Sequence, residues 1–137
     1  MKLQVLDASI GLKWFFPREP LHAAALEVLD LVRERPQNFV VPELFFNETL
    51  AVLTKAKGQP AATRQRYVTL LSHLGLGRVG NGDELLQRAF AMATAWNLSG
   101  YDAIYAATAE LVGGTWLTAD QAAAKRIPTK GLVRLLQ

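Results

Sequence analysis

Residues 99–120, SGYDAIYAATAELVGGTWLTAD, decide how the rest of the chain is read. Ser99, followed three residues later by Asp102, fits a capping box with Asp in the usual Glu position. The run DAIYAATAELV is apolar nearly all round, which predicts a buried helix. Gly113-Gly114 ends it, Thr115-Trp116-Leu117 is a short strand, and Thr118-Ala119-Asp120 leads into a short helix from Gln121 to Arg126. Asp102 therefore falls in the first turn of a helix and Asp120 just past the carboxyl end of a strand. Both positions have ordinary explanations, a capping box for Asp102 and an N-cap for Asp120. For Asp102, however, the first turn of a buried helix is a poor place for an ionised group without a counter-charge.

The chain's 137 residues suffice for one domain, residues 1–137, with one core. Half of them are hydrophobic and a fifth charged, which excludes a disordered chain. With no cysteine, disulfides and thiolate–metal sites are excluded and a reducing compartment is compatible. The start, MKLQVLDASIGLKWFF, is interrupted by Asp7 and Lys13 and is not followed by a small-residue cleavage site, unlike a signal peptide. No uncharged stretch approaches a membrane span, so a cytoplasmic protein without a membrane role is expected. Against 15 basic residues stand 12 acidic ones, a net charge of +3. Setting aside four clustered acids would leave eight against 15, a surface near +7 that suits a polyanionic partner.

Working outward, residues 2–6 form an apolar run that predicts a central strand, because parallel strands buried on both faces look like this. Asp7 follows it, where open α/β sheets place their ligands, though Asp also caps turns. A helix is predicted from Leu21 to Arg35, ended by Pro36. Residues 38–41 form a second strand, and Pro42 opens a second helix. There Leu44, Phe45, Ala51 and Val52 are the apolar positions, and Glu48 shares their stripe, where a carboxylate is costly unless paired or bound to metal. The alternative is a slightly rotated helix with Glu48 at the stripe's edge.

Pro60 starts a third helix, with Val68, Leu70, Leu71 and Leu74 as its apolar residues. Lys55, Lys57, Arg64 and Arg66 form a basic cluster able to touch phosphates, or simply a solvated face. Residues 75–80, GLGRVG, match GxGxxG but follow a helix rather than a strand, and no acid stands about twenty residues on, which excludes a dinucleotide fingerprint. A fourth helix spans Asp83 to Trp96 with Leu85, Leu86, Ala89, Phe90 and Ala93 expected inside. Leu132 to Leu135 is a final strand. Helices and strands alternate, so the predicted fold is a three-layer α/β/α sandwich around a mostly parallel sheet.

Asp7 and Asp120 follow strands, while Glu48 and Asp102 lie on helices that must pack on that sheet, so all four can reach one edge of it. Clustered carboxylates repel unless protonated or neutralised by a cation. Oxygen ligands without cysteine or a paired histidine motif select Mg²⁺ or Mn²⁺. His22 and His73 are isolated. Ser9 and Thr118, each two residues from an acid, are placed to orient a carboxylate or water, or to make ordinary turn hydrogen bonds.

VLDAS at residues 5–9, VPELFFNETLAVL at 41–53, YDAIYAATAE at 101–110 and TWLTAD at 115–120 together resemble the PIN-domain ribonucleases, and among them the VapC toxins of bacterial toxin–antitoxin pairs. The match covers nearly the whole chain in order. It implies that Asp7, Glu48, Asp102 and Asp120 are the acidic quartet, both catalytic and metal-holding, with Mg²⁺ or Mn²⁺ as cofactor. It implies endoribonuclease action on a structured RNA such as tRNA or rRNA, leaving a 5′-phosphate and a 3′-hydroxyl. It also implies a homodimer and inhibition by a cognate antitoxin, in a hetero-oligomer whose antitoxin tail covers the pocket. The family's small hydroxyl residue after the first acid is matched by Ser9. The acid or aromatic often found after the last motif is replaced by Gln121-Ala122-Ala123, so no extra acidic ligand is implied there.

Two rivals differ in class. A phosphatase-like phosphotransfer enzyme built on Asp7 wants a second Asp two residues on, where Ser9 stands, and a receiver wants paired acids at the first strand and a lysine after the last. A catalytically silent RNA-binding or antitoxin-binding module would keep the fold without turnover.

Overall fold

The computed structural model describes residues 2–137. Its centre is β1, Gln4–Leu6, a short strand whose Val5 and Leu6 are fully buried. On one side of β1 lie β2 (Phe39–Pro42) and then β3 (Gly77–Val79), and on the other β4 (Thr115–Thr118) and then β5 (Val133–Leu135). All neighbouring pairs are parallel, giving a five-stranded sheet in the order β3-β2-β1-β4-β5. The chain runs outward through β1, β2 and β3 and then returns to the other side of β1. The strand order therefore reverses between β1 and β4, the kind of position where open parallel sheets leave a crevice at their carboxyl ends.

Helices flank this sheet: α1 (Ala8–Lys13), α2 (His22–Glu34), α3 (Glu43–Lys55), α4 (Ala61–His73), α5 (Asp83–Trp96), α6 (Gly100–Leu111) and α7 (Gln121–Arg126). The predicted sandwich is present, and its sheet is wholly rather than mostly parallel. The helix α6 is the most deeply set, with Ala103 and residues 105–109 buried. It packs against α5 and reaches β1, β2 and β4. Four alanines on its buried face, at positions 103, 106, 107 and 109, let the helix backbone come close to the sheet. No helix among the described residues is long and apolar enough to cross a membrane.

Several boundaries differ from the sequence expectations, each for a local reason. The first strand begins at Gln4 rather than residue 2, although the Leu3 carbonyl still accepts from Thr115 N–H at 2.9 Å. Pro42 ends β2 and serves as the N-cap of α3 instead of its first helical residue. The six-residue α1 was not expected, because Gly11 in its middle obscures any helical signal. Gly11 is needed there: a Cβ would lie 2.9 Å from the Phe45 ring.

Two predicted stripes are rotated. In α3 the buried positions are Phe45, Thr49 and Leu53, while Ala51 and Val52 are exposed, so Glu48 sits at the stripe's edge. In α5 the buried residues are Leu85, Ala89 and Met92, spaced to face α6. Leu86 and Phe90, expected inside, lie one step round the helix and are exposed, Phe90 at 70%. The glycines at 75–80 follow α4, with Gly75 in the left-handed conformation and β3 beginning at Gly77, so no strand-to-helix phosphate turn exists there.

Candidate active site

Asp7 stands at the carboxyl end of β1. Register pairs Leu6 with Leu117, which brings Asp7 beside Thr118 at the end of β4. The Thr118 hydroxyl donates to Asp7 Oδ2 at 2.6 Å, and the Ser9 backbone N–H donates to Oδ1 at 3.1 Å. The second bond is an N-cap for α1, so Asp7 is both a helix cap and an acid at the strand end. The side chain is only 8% exposed, yet no lysine or arginine pairs with it. Burial pushes its carboxyl up from 3.8 to about 6; the bonds from Thr118 and Ser9 oppose this, and the charges of Glu48 and Asp102 add to it.

Glu48 projects from α3 and is half-buried. The Tyr105 hydroxyl donates to its Oε1 at 2.7 Å. Burial again raises the carboxyl, the Tyr105 bond opposes it, and the Asp102 charge adds. Asp102 lies in the first turn of α6, whose N-cap Ser99 accepts from the Asp102 N–H at 3.0 Å. Half of the predicted capping box is thus real, and Asp102 is still raised, first by burial and then by the charge of Asp120. Arg126 acts on it in the opposite sense, without a direct ion pair. Asp120 is exposed, caps α7 by accepting from Ala123 N–H at 3.0 Å, and donates its own N–H to Thr118 Oγ1 at 3.1 Å.

The four acids are therefore linked by mutual repulsion: Asp7 with Glu48 and Asp102, Glu48 with Asp102, and Asp102 with Asp120. Among the described residues the only ion pairs are those of Arg88 with Glu84 and Glu110, away from these acids. These carboxylates offer only oxygen atoms, the ligand type a hard divalent cation takes. No three of the described His, Asp or Glu side chains already stand as a ready-made metal cage.

The PIN domain family model matches residues 5–129. The chain belongs to the PIN-domain family. PIN domains are nucleases and generally use a divalent metal, so this one is a hydrolase of nucleic acid in its family setting. A search of the curated proteins finds no match. Among solved structures, the PIN domain is similar to PAE2754 from Pyrobaculum aerophilum, at 24% identity and a TM-score of 0.69, over 96% of this chain and 83% of that one. It is similar to VapBC2 from Rickettsia felis bound to a DNA fragment from their promoter, at 14% identity and a TM-score of 0.72, over 98% and 99% of the two chains. It is similar also to a toxin–antitoxin complex from Klebsiella pneumoniae, at 20% identity and a TM-score of 0.66, over 96% and 95%. At these identities the likeness is one of fold.

The basic cluster of this PIN domain divides. Lys55, Lys57 and Arg66 are exposed. Arg64 is not a free cation: its guanidinium donates to the carbonyls of Leu53 at 2.7 Å, Thr54 at 3.0 Å and Gln59 at 3.2 Å, closing the carboxyl end of α3. His73 is exposed and His22 half-buried, and neither is among the groups that act on Asp7, Glu48 or Asp102. The sequence reading missed Tyr105. A buried tyrosine needs a partner for its hydroxyl, and one placed three residues after Asp102 shares that helix face, a signal present in YDAIYAATAE.

Proposed function

We propose that this PIN domain is a metal-dependent endoribonuclease toxin of the VapC type, hydrolysing phosphodiester bonds of a structured RNA such as tRNA or rRNA. The observation that carries this reading is Asp7. It is a buried carboxylate at the end of the central strand, held by two hydrogen bonds, facing two more acids and paired with no cation.

In this reading Asp7, Glu48, Asp102 and Asp120 hold Mg²⁺ or Mn²⁺. When bound, the ion lowers the pKa of water and neutralises charge on the phosphodiester. Thr118 and Ser9 fix the orientation of Asp7, whose oxygens each retain a lone pair for a ligand. Asp120 is exposed and Glu48 and Asp102 are half-buried, so their carboxylates would be the ones free to turn toward such an ion. Lys55, Lys57 and Arg66 are exposed and offer phosphate contacts. The products are a 5′-phosphate and a 3′-hydroxyl.

A cognate antitoxin partner, a homodimer and a cytoplasmic setting complete the proposal. Its support is the sequence resemblance together with the shared fold of the two toxin–antitoxin structures. The catalytically silent module draws on one observation, the lack of a ready-made three-carboxylate cage among the described residues. An RNA cleavage assay with and without Mn²⁺, on wild type and Asp102→Asn, separates the two. Loss of Mn²⁺-dependent cutting in the variant supports the nuclease, and cutting that survives the substitution counts against this site.

A further inference from the structure

Glu48 has a partner that none of the acids shares. Its Oε1 accepts from the Tyr105 hydroxyl at 2.7 Å, across 57 residues of sequence and from α3 to α6. The ring of the phenol is held by the core rather than by the acids. It is buried at 1% exposure and stacks on Trp116, with centroids 5.9 Å apart and planes 9° from parallel, and Trp116 is itself fully buried. The donor's position is therefore set by the core between α6 and β4. A glutamate side chain, by contrast, has three rotatable bonds and loses much freedom when fixed.

We propose that Tyr105 is a positioning residue: its hydroxyl holds Glu48 so that the free oxygen of that carboxylate faces the ion shared with Asp7 and Asp102. This rests on the reading of Glu48 as a metal ligand. Tyr105 follows Asp102 by three residues, so one face of α6 supplies Asp102 directly and governs Glu48 through a hydrogen bond. The choice of a phenol has a physical reason. A lysine or arginine would fix Glu48 equally well but neutralise it, whereas a neutral hydroxyl orients the carboxylate and leaves its charge for the cation.

The test is Mn²⁺ affinity, measured by titration calorimetry on the full chain, for wild type, Tyr105→Phe, Glu48→Gln and the double variant. Phenylalanine keeps the ring stacked on Trp116 and removes only the hydroxyl. Partners behind a metal ligand are worth 10–100-fold in affinity, so Tyr105→Phe should bind roughly 10-fold more weakly. In the Glu48→Gln background the same change should cost nothing further, which a merely structural tyrosine would not produce. Unchanged affinity in Tyr105→Phe, or equal losses in both backgrounds, overturns the proposal. Unchanged affinity in Glu48→Gln removes Glu48 itself from the metal site, a separate failure that takes this proposal with it. Should Tyr105→Phe fail to fold, wild type decides by Mg²⁺ titration followed by NMR. The Tyr105 Cζ resonance must shift in step with Glu48 Cδ, and a stationary Tyr105 overturns the assignment.

Discussion

Thr118 and Asp7 lie 111 residues apart in sequence and are joined by a 2.6 Å hydrogen bond from the threonine hydroxyl to Asp7 Oδ2. The same hydroxyl accepts from the Asp120 N–H at 3.1 Å. One side chain at the end of β4 thus connects two acids on either side of the strand-order reversal. Replacing it with valine keeps the shape and removes both bonds. Hydrogen bonds to charged groups are worth about 1.5–3 kcal/mol, so Thr118→Val should lower stability by about that much near neutral pH, with a smaller loss at pH values where Asp7 is protonated. Urea unfolding of the two proteins checks this, and an unchanged midpoint near neutral pH contradicts it.

Asp7 makes the metal-free protein less stable as pH rises. Its carboxyl is held near 6 in the fold against 3.8 unfolded. Between those values the folded chain keeps a proton that the unfolded chain has lost, so stability falls as pH rises through the window and levels off above it. The gap from 3.8 to about 6 corresponds to about 3 kcal/mol. In EDTA, Asp7→Asn should therefore gain stability over wild type above pH 6 and lose that advantage near pH 4. Parallel stability profiles for the two proteins would speak against a buried, unpaired Asp7.

Glu48 is raised by burial and by the charge of Asp102, and Asp102 by burial and by the charge of Asp120. Glu48→Gln should accordingly stabilise the metal-free protein. Mg²⁺ or Mn²⁺ should raise the melting temperature of wild type, by about 2.7 kcal/mol of stability at a hundredfold excess over Kd, and raise that of Glu48→Gln less. A Glu48→Gln protein as destabilised as a core-cavity variant would make Glu48 a structural residue.

The approach of β1 to β4 has its own test in the paired glycines before β4. A Cβ on Gly114 would lie 2.3 Å from the Leu3 carbonyl oxygen, whereas one on Gly113 meets nothing within 4 Å and suffers only from its φ of +66°. Overpacking costs about 1–3 kcal/mol, here against a backbone oxygen that cannot swing aside, and a left-handed non-glycine residue about 1–2 kcal/mol. Gly114→Ala should be the more damaging of the two in urea unfolding, and the reverse order would place β1 and β4 differently.

Much of this was legible in the sequence because apolar runs and glycine breaks report directly on the backbone. The stretch at 99–120 announced α6, β4 and α7 in order, and the short apolar run before Asp7 announced the central strand. What the sequence hid depends on how helices rotate as they pack. Phe90 looks like a core residue until α5 settles on α6 through Leu85, Ala89 and Met92. Glu48 looks centred on a stripe until Phe45, Thr49 and Leu53 take the buried positions. Arg64 looks like a phosphate ligand until its guanidinium meets three carbonyls near the end of α3. Among the site residues, the capping roles of Asp7 and Asp120 were readable, and both are present in the structure. The Tyr105–Glu48 bond joins two helices 57 residues apart and leaves no trace in periodicity.

The central claim is that acids from separate elements serve one ion. Mn²⁺ binding to wild type, Asp7→Asn and Asp120→Asn, measured by calorimetry on folded protein, tests it most directly. The account predicts that both substitutions weaken the same binding event, although Asp7 follows β1 and Asp120 follows β4. Full wild-type affinity in both variants would contradict it.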